Sequence, residues 1–449
     1  MKRAVSRLIL HLLLAASLAS RCLAAGGGDD RPVSFRTEVA PLLQRRCAAC
    51  HCEDSAKGGY RLDSFDRLQK PGDSGDATVV SGKAQASALF KLLVTKDPED
   101  RMPQKAEALP AAEIALIERW LNAGAPYDGG ATSRPLAELV REQHLRPAPL
   151  HYAQPVPVTA LAFSGDGHRL ASSGYREILV WDSVTGALAR RVGGLPERIT
   201  SLAWHPKRNV LAVGGGTPGQ WGTVALVDVS HGYAVRLLCD LPEVVLSVAF
   251  DKDASTLVAG CGDRTMRLFD VSTGKEKRVL RQHADWVQSV TFNPGGTLLV
   301  SASRDRTAAL FNTATWEQEA TFREHDTPLY AAAFTPDGSR VVTSSRGRAL
   351  VWHPEKATAR GSLAEIGGDS RQIIGGPFGI AAGCDDGAVR LYQGDGGAPW
   401  LTLRAHRDAV QSLAASPKGD TLASGAADGE IIIWSPLCWE PAVRILAKP

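Results

Sequence analysis

Residues 406–434 read HRDAVQSLAASPKGDTLASGAADGEIIIW, three runs of alternating apolar and polar residues separated by Lys418-Gly419-Asp420 and Asp428-Gly429. Runs of that length between Gly/Asp turns are strands of an antiparallel sheet. The stretch ends on Trp434-Ser435. Similar endings recur upstream at Trp181-Asp182, Val227-Asp228, Phe269-Asp270, Phe311-Asn312, Trp352-His353 and Tyr392-Gln393, in steps of 46, 42, 42, 41, 40 and 42 residues. A second anchor precedes most endings: Ala162-Phe163-Ser164, Ala203-Trp204-His205-Pro206, Ala249-Phe250-Asp251, Thr291-Phe292-Asn293-Pro294, Ala333-Phe334-Thr335-Pro336 and Ala415-Ser416-Pro417. Only the sixth unit lacks it. One such sheet cannot bury both its faces, so the period predicts seven sheets stacked on one another over residues 158–449.

This period and these endings resemble the WD40 family over about 300 residues. The resemblance implies an all-β seven-bladed propeller with a polar relay inside each blade. The last unit matches that relay at His406, Ser424, Asp428 and Trp434. The fourth has His283, Ser301 and Asp305 with Phe311 in place of the tryptophan, and the fifth has His325, Thr343 and Trp352 without the aspartate. A relay of this kind satisfies donors and acceptors buried between strands, which are costly to leave unpaired. His283, His325 and His406 therefore read as members of separate blades and not as a metal cluster. Gly214-Gly215-Gly216 reads as a turn, because no helix start follows it to make a phosphate cradle. Cys239, Cys261, Cys384 and Cys438 read as free thiols; Cys261 and Cys384 hold equivalent places in blades three and six, too far apart around a ring to bridge.

Upstream of the repeats the pattern changes. Lys2, Arg3 and Arg7 precede an apolar run from Leu8 to Leu18, and Cys22-Leu23-Ala24 supplies small residues for cleavage. Residues 1–24 thus read as a secretory signal peptide, which places the protein in the periplasm or otherwise outside the cell. The run is too short to span a bilayer, and Arg21 stands where a lipid-attachment motif wants a small residue before Cys22. Residues 33–128 read as a small all-α domain: Phe35, Val39 and Leu42 share a helical face, and Pro110 opens a second helix carrying Ile114, Ile117 and Leu121, stopped by Gly124 and Pro126. Residues 129–157, with Gly129-Gly130 and five prolines, read as a linker with a short helix around Leu136 to Gln143.

Cys47-Ala48-Ala49-Cys50-His51 is the motif whose chemistry is most tightly constrained. Two thiols three positions apart can add to the two vinyl groups of one haem, and the following imidazole then falls beneath the iron. A zinc site needs more ligands than the neighbourhood supplies, and a redox dithiol has no βαβ pattern around it. The other axial ligand has to come from a loop facing the iron. Met1 leaves with the signal and Met266 sits in a propeller strand, whereas Met102 stands in Arg101-Met102-Pro103, a poor place to fill a core. Met102 is the expected ligand, with His144 and His151 in reserve.

The segment from Val33 to Gly129 resembles the planctomycete-type cytochrome c domain. The matching residues are Cys47 to His51, Gly58-Gly59-Tyr60-Arg61-Leu62-Asp63, Gly72-Asp73-Ser74-Gly75, Gly82-Lys83, Ser87-Ala88-Leu89, Arg101-Met102-Pro103 and Trp120-Leu121-Asn122-Ala123-Gly124-Ala125-Pro126. The resemblance implies one covalent haem c and electron transfer, with Met102 where the family places its distal ligand. Cys52 departs from the pattern by standing where glycine is usual, and it reads as a bystander thiol.

Composition fits these readings. With 44% hydrophobic and 22% charged residues the chain is globular, and 51 basic against 48 acidic residues leave +3, too little for a nucleic-acid partner. The expected function is that of an exported one-electron carrier whose propeller is a platform for redox partner proteins, with no membrane span. A carrier is favoured over a catalyst. Two other readings stay open: an oxidoreductase whose propeller oxidises a small substrate and passes electrons to the haem, and a haem-based redox or gas sensor.

Overall fold

The computed structural model describes residues 31–48, 50–53, 55–104, 107–435 and 437–448. The signal peptide expected over residues 1–24 lies outside the described residues. The chain divides into two compact units, residues 1–140 and 141–449.

In the first unit, Ser34 opens the fold: its Oγ accepts the Thr37 N–H at 3.0 Å and starts a π-helical turn, Phe35–Val39, that runs into the helix Ala40–Arg46. Phe35, Val39 and Leu42 are buried along this segment. The Phe35 ring meets Phe65 edge-on at 5.0 Å and Trp120 at 5.6 Å. Trp120, fully buried on the helix Ala111–Asn122, donates its indole N–H to the Pro126 carbonyl at 3.0 Å, so its one polar atom is satisfied inside the core. The helix Ala88–Val94 adds Leu89, Phe90 and Leu93.

This unit is not purely helical. His51–Cys52 pairs antiparallel with Ser55–Ala56, and the remaining connections are loop. Nor does it end at residue 128. The helix Leu136–His144 lies within the segment expected as linker, and its Leu136 and Leu139 are buried in the first unit's core cluster. Among the described residues no helix is long and apolar enough to cross a membrane.

The second unit is a seven-bladed propeller. Its seven four-stranded antiparallel sheets span residues 161–192, 199–237, 245–280, 287–322, 329–363, 370–404 and 410–446, each from contiguous chain. First strands of successive blades pack side by side, and that of blade seven meets that of blade one. Serines stitch this inner ring: Ser201 Oγ accepts the Val248 N–H at 3.0 Å, and Ser247 Oγ that of Val290 at 3.1 Å. The ring closes by packing and not by a shared strand. Val158 N–H donates to the Ala426 carbonyl at 3.0 Å, the Ser412 hydroxyl donates to the Val158 carbonyl at 2.6 Å, and Phe163 and Trp181 share one apolar cluster with Ile431 and Ile433.

Two glycine-rich stretches behave differently from their sequence reading. Gly214-Gly215-Gly216 is not a turn: it lies inside the strand Val210–Thr217, paired with Val224, Thr223 and Gly222. A Cβ on Gly215 would stand 2.3 Å from the Arg198 carbonyl oxygen, so glycine is there for close approach of backbones. The sixth blade, which lacks the aromatic anchor, uses the strand Ser370–Gly376 as its first strand. A Cβ on Gly375 would fall 2.2 Å from the carbonyl oxygen of Phe334, in blade five, which explains why no side chain stands there.

The relay of the last blade is centred on Ser424, whose Oγ accepts the Trp434 indole N–H at 2.8 Å and lies 2.6 Å from His406 Nε2. The expected fourth member differs. His406 Nδ1 faces the Glu430 carboxylate at 3.2 Å, while Asp428 is turned to the local backbone and accepts the Glu430 N–H at 3.0 Å. Arg444 holds Glu430 in that place at 2.6 Å. In blade four His283 bridges Ser301 at 2.7 Å and Asp305 at 2.9 Å, and in blade five His325 bridges Thr343 at 2.9 Å and Ser345 at 2.8 Å. Ser345 thus takes the role left by the absent aspartate.

Candidate functional site

The cysteine motif begins where the helix Ala40–Arg46 ends. Cys47 N–H still donates to the Leu43 carbonyl at 2.9 Å, and the His51 N–H reaches back to the Cys47 carbonyl at 3.1 Å. Cys47, Cys50 and His51 all line one cleft. Arg46 locks the turn from outside through a two-pronged pair with Glu113, at 3.0 and 3.1 Å, on the helix Ala111–Asn122.

His51 is buried, and its ring orientation is fixed. Nδ1 lies 3.3 Å from the Tyr60 carbonyl oxygen, which can only accept, so Nδ1 is the donor and, in the neutral ring, Nε2 is the nitrogen with the lone pair. The chain returns to that position through a turn in which Gly58 and Gly59 both adopt left-handed backbone, at φ +63° and +70°. A Cβ on Gly59 would stand 2.2 Å from an Asp73 carboxylate oxygen. Leu62 N–H then donates to the His51 carbonyl at 2.8 Å, tying the returning segment down.

Met102 lines the same cleft as His51. Its N–H donates to the Leu92 carbonyl at 2.8 Å, which anchors the loop to the helix Ala88–Val94. Leu89, Leu92 and Leu93, at helical spacing on that element, make the apolar wall together with Leu62 and Leu109. The cleft's own volume is about 180 Å³. Burial, reinforced by Glu113, pushes the Cys47 thiol up to about 12, unlike the activated thiolate of a redox dithiol. All described cysteines are free, Cys52 included.

The reserve histidines are elsewhere. His144 stacks on Trp221 with centroids 5.1 Å apart and His151 is exposed, and neither lines this cleft. Among the described residues no cluster of three or more His, Cys, Asp or Glu is placed to hold a metal ion. Sequence reasoning missed the Tyr60 carbonyl and the leucine wall. The leucines carried a signal in their i, i+3, i+4 spacing, whereas a backbone carbonyl leaves no residue-type signature.

Residues 47–105 match the family model described as planctomycete cytochrome C. Residues 149–182, 239–270, 274–312, 316–353 and 397–435 match that of the WD domain, G-beta repeat. The matched repeats fall on blades one, three, four, five and seven. No curated protein matches the chain. The chain therefore joins a segment that matches the planctomycete cytochrome C model to a seven-bladed propeller, five of whose blades match the WD domain repeat.

Proposed function

We propose that the protein is an exported c-type cytochrome that carries single electrons, with its propeller as the platform on which redox partner proteins dock. The observation that supports it most is the shared cleft: His51, with Nε2 left free by the Tyr60 carbonyl, and Met102 line one apolar cavity beside Cys47 and Cys50. A metal-ligating histidine is ordinarily oriented by such a hydrogen bond from its other nitrogen. The donor set and the apolar wall suit one haem c, which Cys47 and Cys50 would hold covalently and to whose iron His51 and Met102 would bind. When bound, that group supplies reversible one-electron chemistry at iron.

The protein's own residues do the rest. Tyr60 fixes the tautomer and ring plane of His51, and the leucine wall excludes water and lowers the local dielectric. Lys57, which also lines the cleft, would supply positive charge for a carboxylate of the macrocycle. With both His51 and Met102 bound to iron, no position would be left for a substrate, which favours carriage over catalysis. Export rests on Lys2, Arg3, Arg7 and the apolar run after them.

The test is spectroscopic. The matured protein should give a low-spin spectrum with the long-wavelength sulfur-to-iron band in its oxidised form, and Met102→Ala should lose that band. An unchanged spectrum in Met102→Ala would refute the assignment of Met102.

A further inference from the structure

On the propeller face formed by the turns after the first and third strands, blades five, six and seven enclose a cleft lined by aromatic rings. Phe378, Trp400 and Trp439 line it, Asp337, Arg340 and Asp395 lie at its rim, and its free space is about 1110 Å³ including the part open to solvent. Trp400 stands 5.9 Å from Trp439 at 77°, and Phe378 stands 6.2 Å from it at 87°. Two rings thus stand nearly perpendicular to a third. Trp400 is 45% exposed.

Trp439 occupies a left-handed turn position, φ +54°, where blades one and three place Gly186 and Gly274, both at φ +73°. A bulky residue is disfavoured in that conformation, so the ring is retained against the local preference of the backbone. Blade four makes a similar choice with Trp316, which packs edge-on against Phe292 at 6.3 Å. Trp439 instead meets two rings and borders an open cleft.

Electrostatics selects the occupant. Tyr152, Tyr175, Tyr233, Trp286 and Tyr330 each carry an arginine over the ring face. Among the described residues no arginine or lysine is stacked over Phe378, Trp400 or Trp439. The rim guanidinium of Arg340 is turned to Asp395 at 2.9 Å. Among the described residues no cation pairs with Asp337. Its carboxylate accepts from the Thr335 hydroxyl at 2.5 Å, the Ser339 hydroxyl at 2.7 Å and the Ser339 N–H at 3.1 Å, and these bonds hold it down at about 2, ionised at any neutral pH.

We propose that this cleft binds an alkylammonium group, seated against the Trp400 and Trp439 rings with Asp337 as its counter-charge. Tryptophan faces attract such cations most strongly, and desolvation within a cleft strengthens the attraction. The group can come from a free quaternary amine or from a methylated lysine of another protein. The proposal is independent of the haem reading.

The experiment is calorimetric titration of the full chain with choline, with a trimethyl-lysine peptide, with glucose, and with the uncharged carbon analogue of choline in which a tert-butyl group replaces the trimethylammonium. At least one ammonium probe should bind about tenfold or more tightly than the carbon analogue. Tighter choline binding identifies a small-molecule site, and tighter peptide binding a protein partner. Trp400→Leu and Trp439→Gly, the latter restoring the residue used in blades one and three, should abolish that binding. The proposal fails if charged and uncharged analogues bind equally, if glucose alone binds, if no ammonium probe binds, or if binding survives both substitutions.

Discussion

The Nδ1 atom of His51 lies 3.3 Å from the carbonyl oxygen of Tyr60, nine residues along the chain. That contact exists because Gly58 and Gly59 permit a left-handed reversal that glycine enters at the least cost. It turns the imidazole so that Nε2 is the nitrogen left for the cleft shared with Met102.

Gly59→Ala should therefore damage the site from outside it. The new Cβ meets Asp73 at 2.2 Å in a backbone conformation of φ +70°, at an expected cost of about 1–3 kcal/mol. Urea unfolding of the full chain, followed by the circular dichroism of the first unit's buried aromatic cluster, checks this. An unshifted transition would show that the turn is not needed to hold the loop.

Ser424→Ala should destabilise blade seven more than its small volume change suggests. The hydroxyl is fully buried and serves both the Trp434 indole N–H and His406 Nε2, so its removal orphans two buried polar atoms. The expected loss is about 2–3 kcal/mol in urea or thermal unfolding. Asp428→Asn should cost less than Glu430→Gln, because Glu430 is the carboxylate that faces His406.

Stability of the propeller should fall on acidification. Burial, with Arg348 adding to it, holds His325 down at about 4, below its ordinary value of 6.5. Between those two values the unfolded chain takes up a proton that the folded blade refuses. The stabilisation is thus complete above about pH 6.5 and is lost as pH falls toward 4, at up to about 1.4 kcal/mol per pH unit. Against the opposing effect of burial, His283 and Thr307 hold Asp305 well below the usual carboxylate range, so its contribution is lost at lower pH still. Unfolding free energies of the parent and of His325→Gln, measured from pH 4 to 7, should diverge in slope; parallel profiles would exclude His325 as a source.

The propeller was legible because its period is written in residue types. Apolar endings at Trp181, Phe269, Trp352 and Trp434 mark the third strand of each blade, since that strand always crosses the same part of the core. Legibility failed where backbone geometry replaced side chains. Gly375 hides the first strand of blade six, and the run through Gly215 reads as a turn although it pairs as a strand, both because a neighbouring carbonyl leaves no room for a Cβ. In the relay the choice between Asp428 and Glu430 depended on Arg444, a residue of the next strand that spacing alone does not bring to mind. The cleft was half legible. Cys47, Cys50, His51 and Met102 were visible as residue types, whereas the Tyr60 carbonyl and the depth of the leucine wall emerge only from the fold.

The covalent attachment of a porphyrin to Cys47 and Cys50 is tested most directly by intact mass. The chain is to be produced in a host that matures c-type cytochromes, denatured and extracted with acidic acetone, and compared with a Cys47→Ser, Cys50→Ser double variant treated in the same way. The parent polypeptide should retain the mass of one haem and the double variant none. A parent chain that emerges at the mass of bare polypeptide would contradict the proposed function.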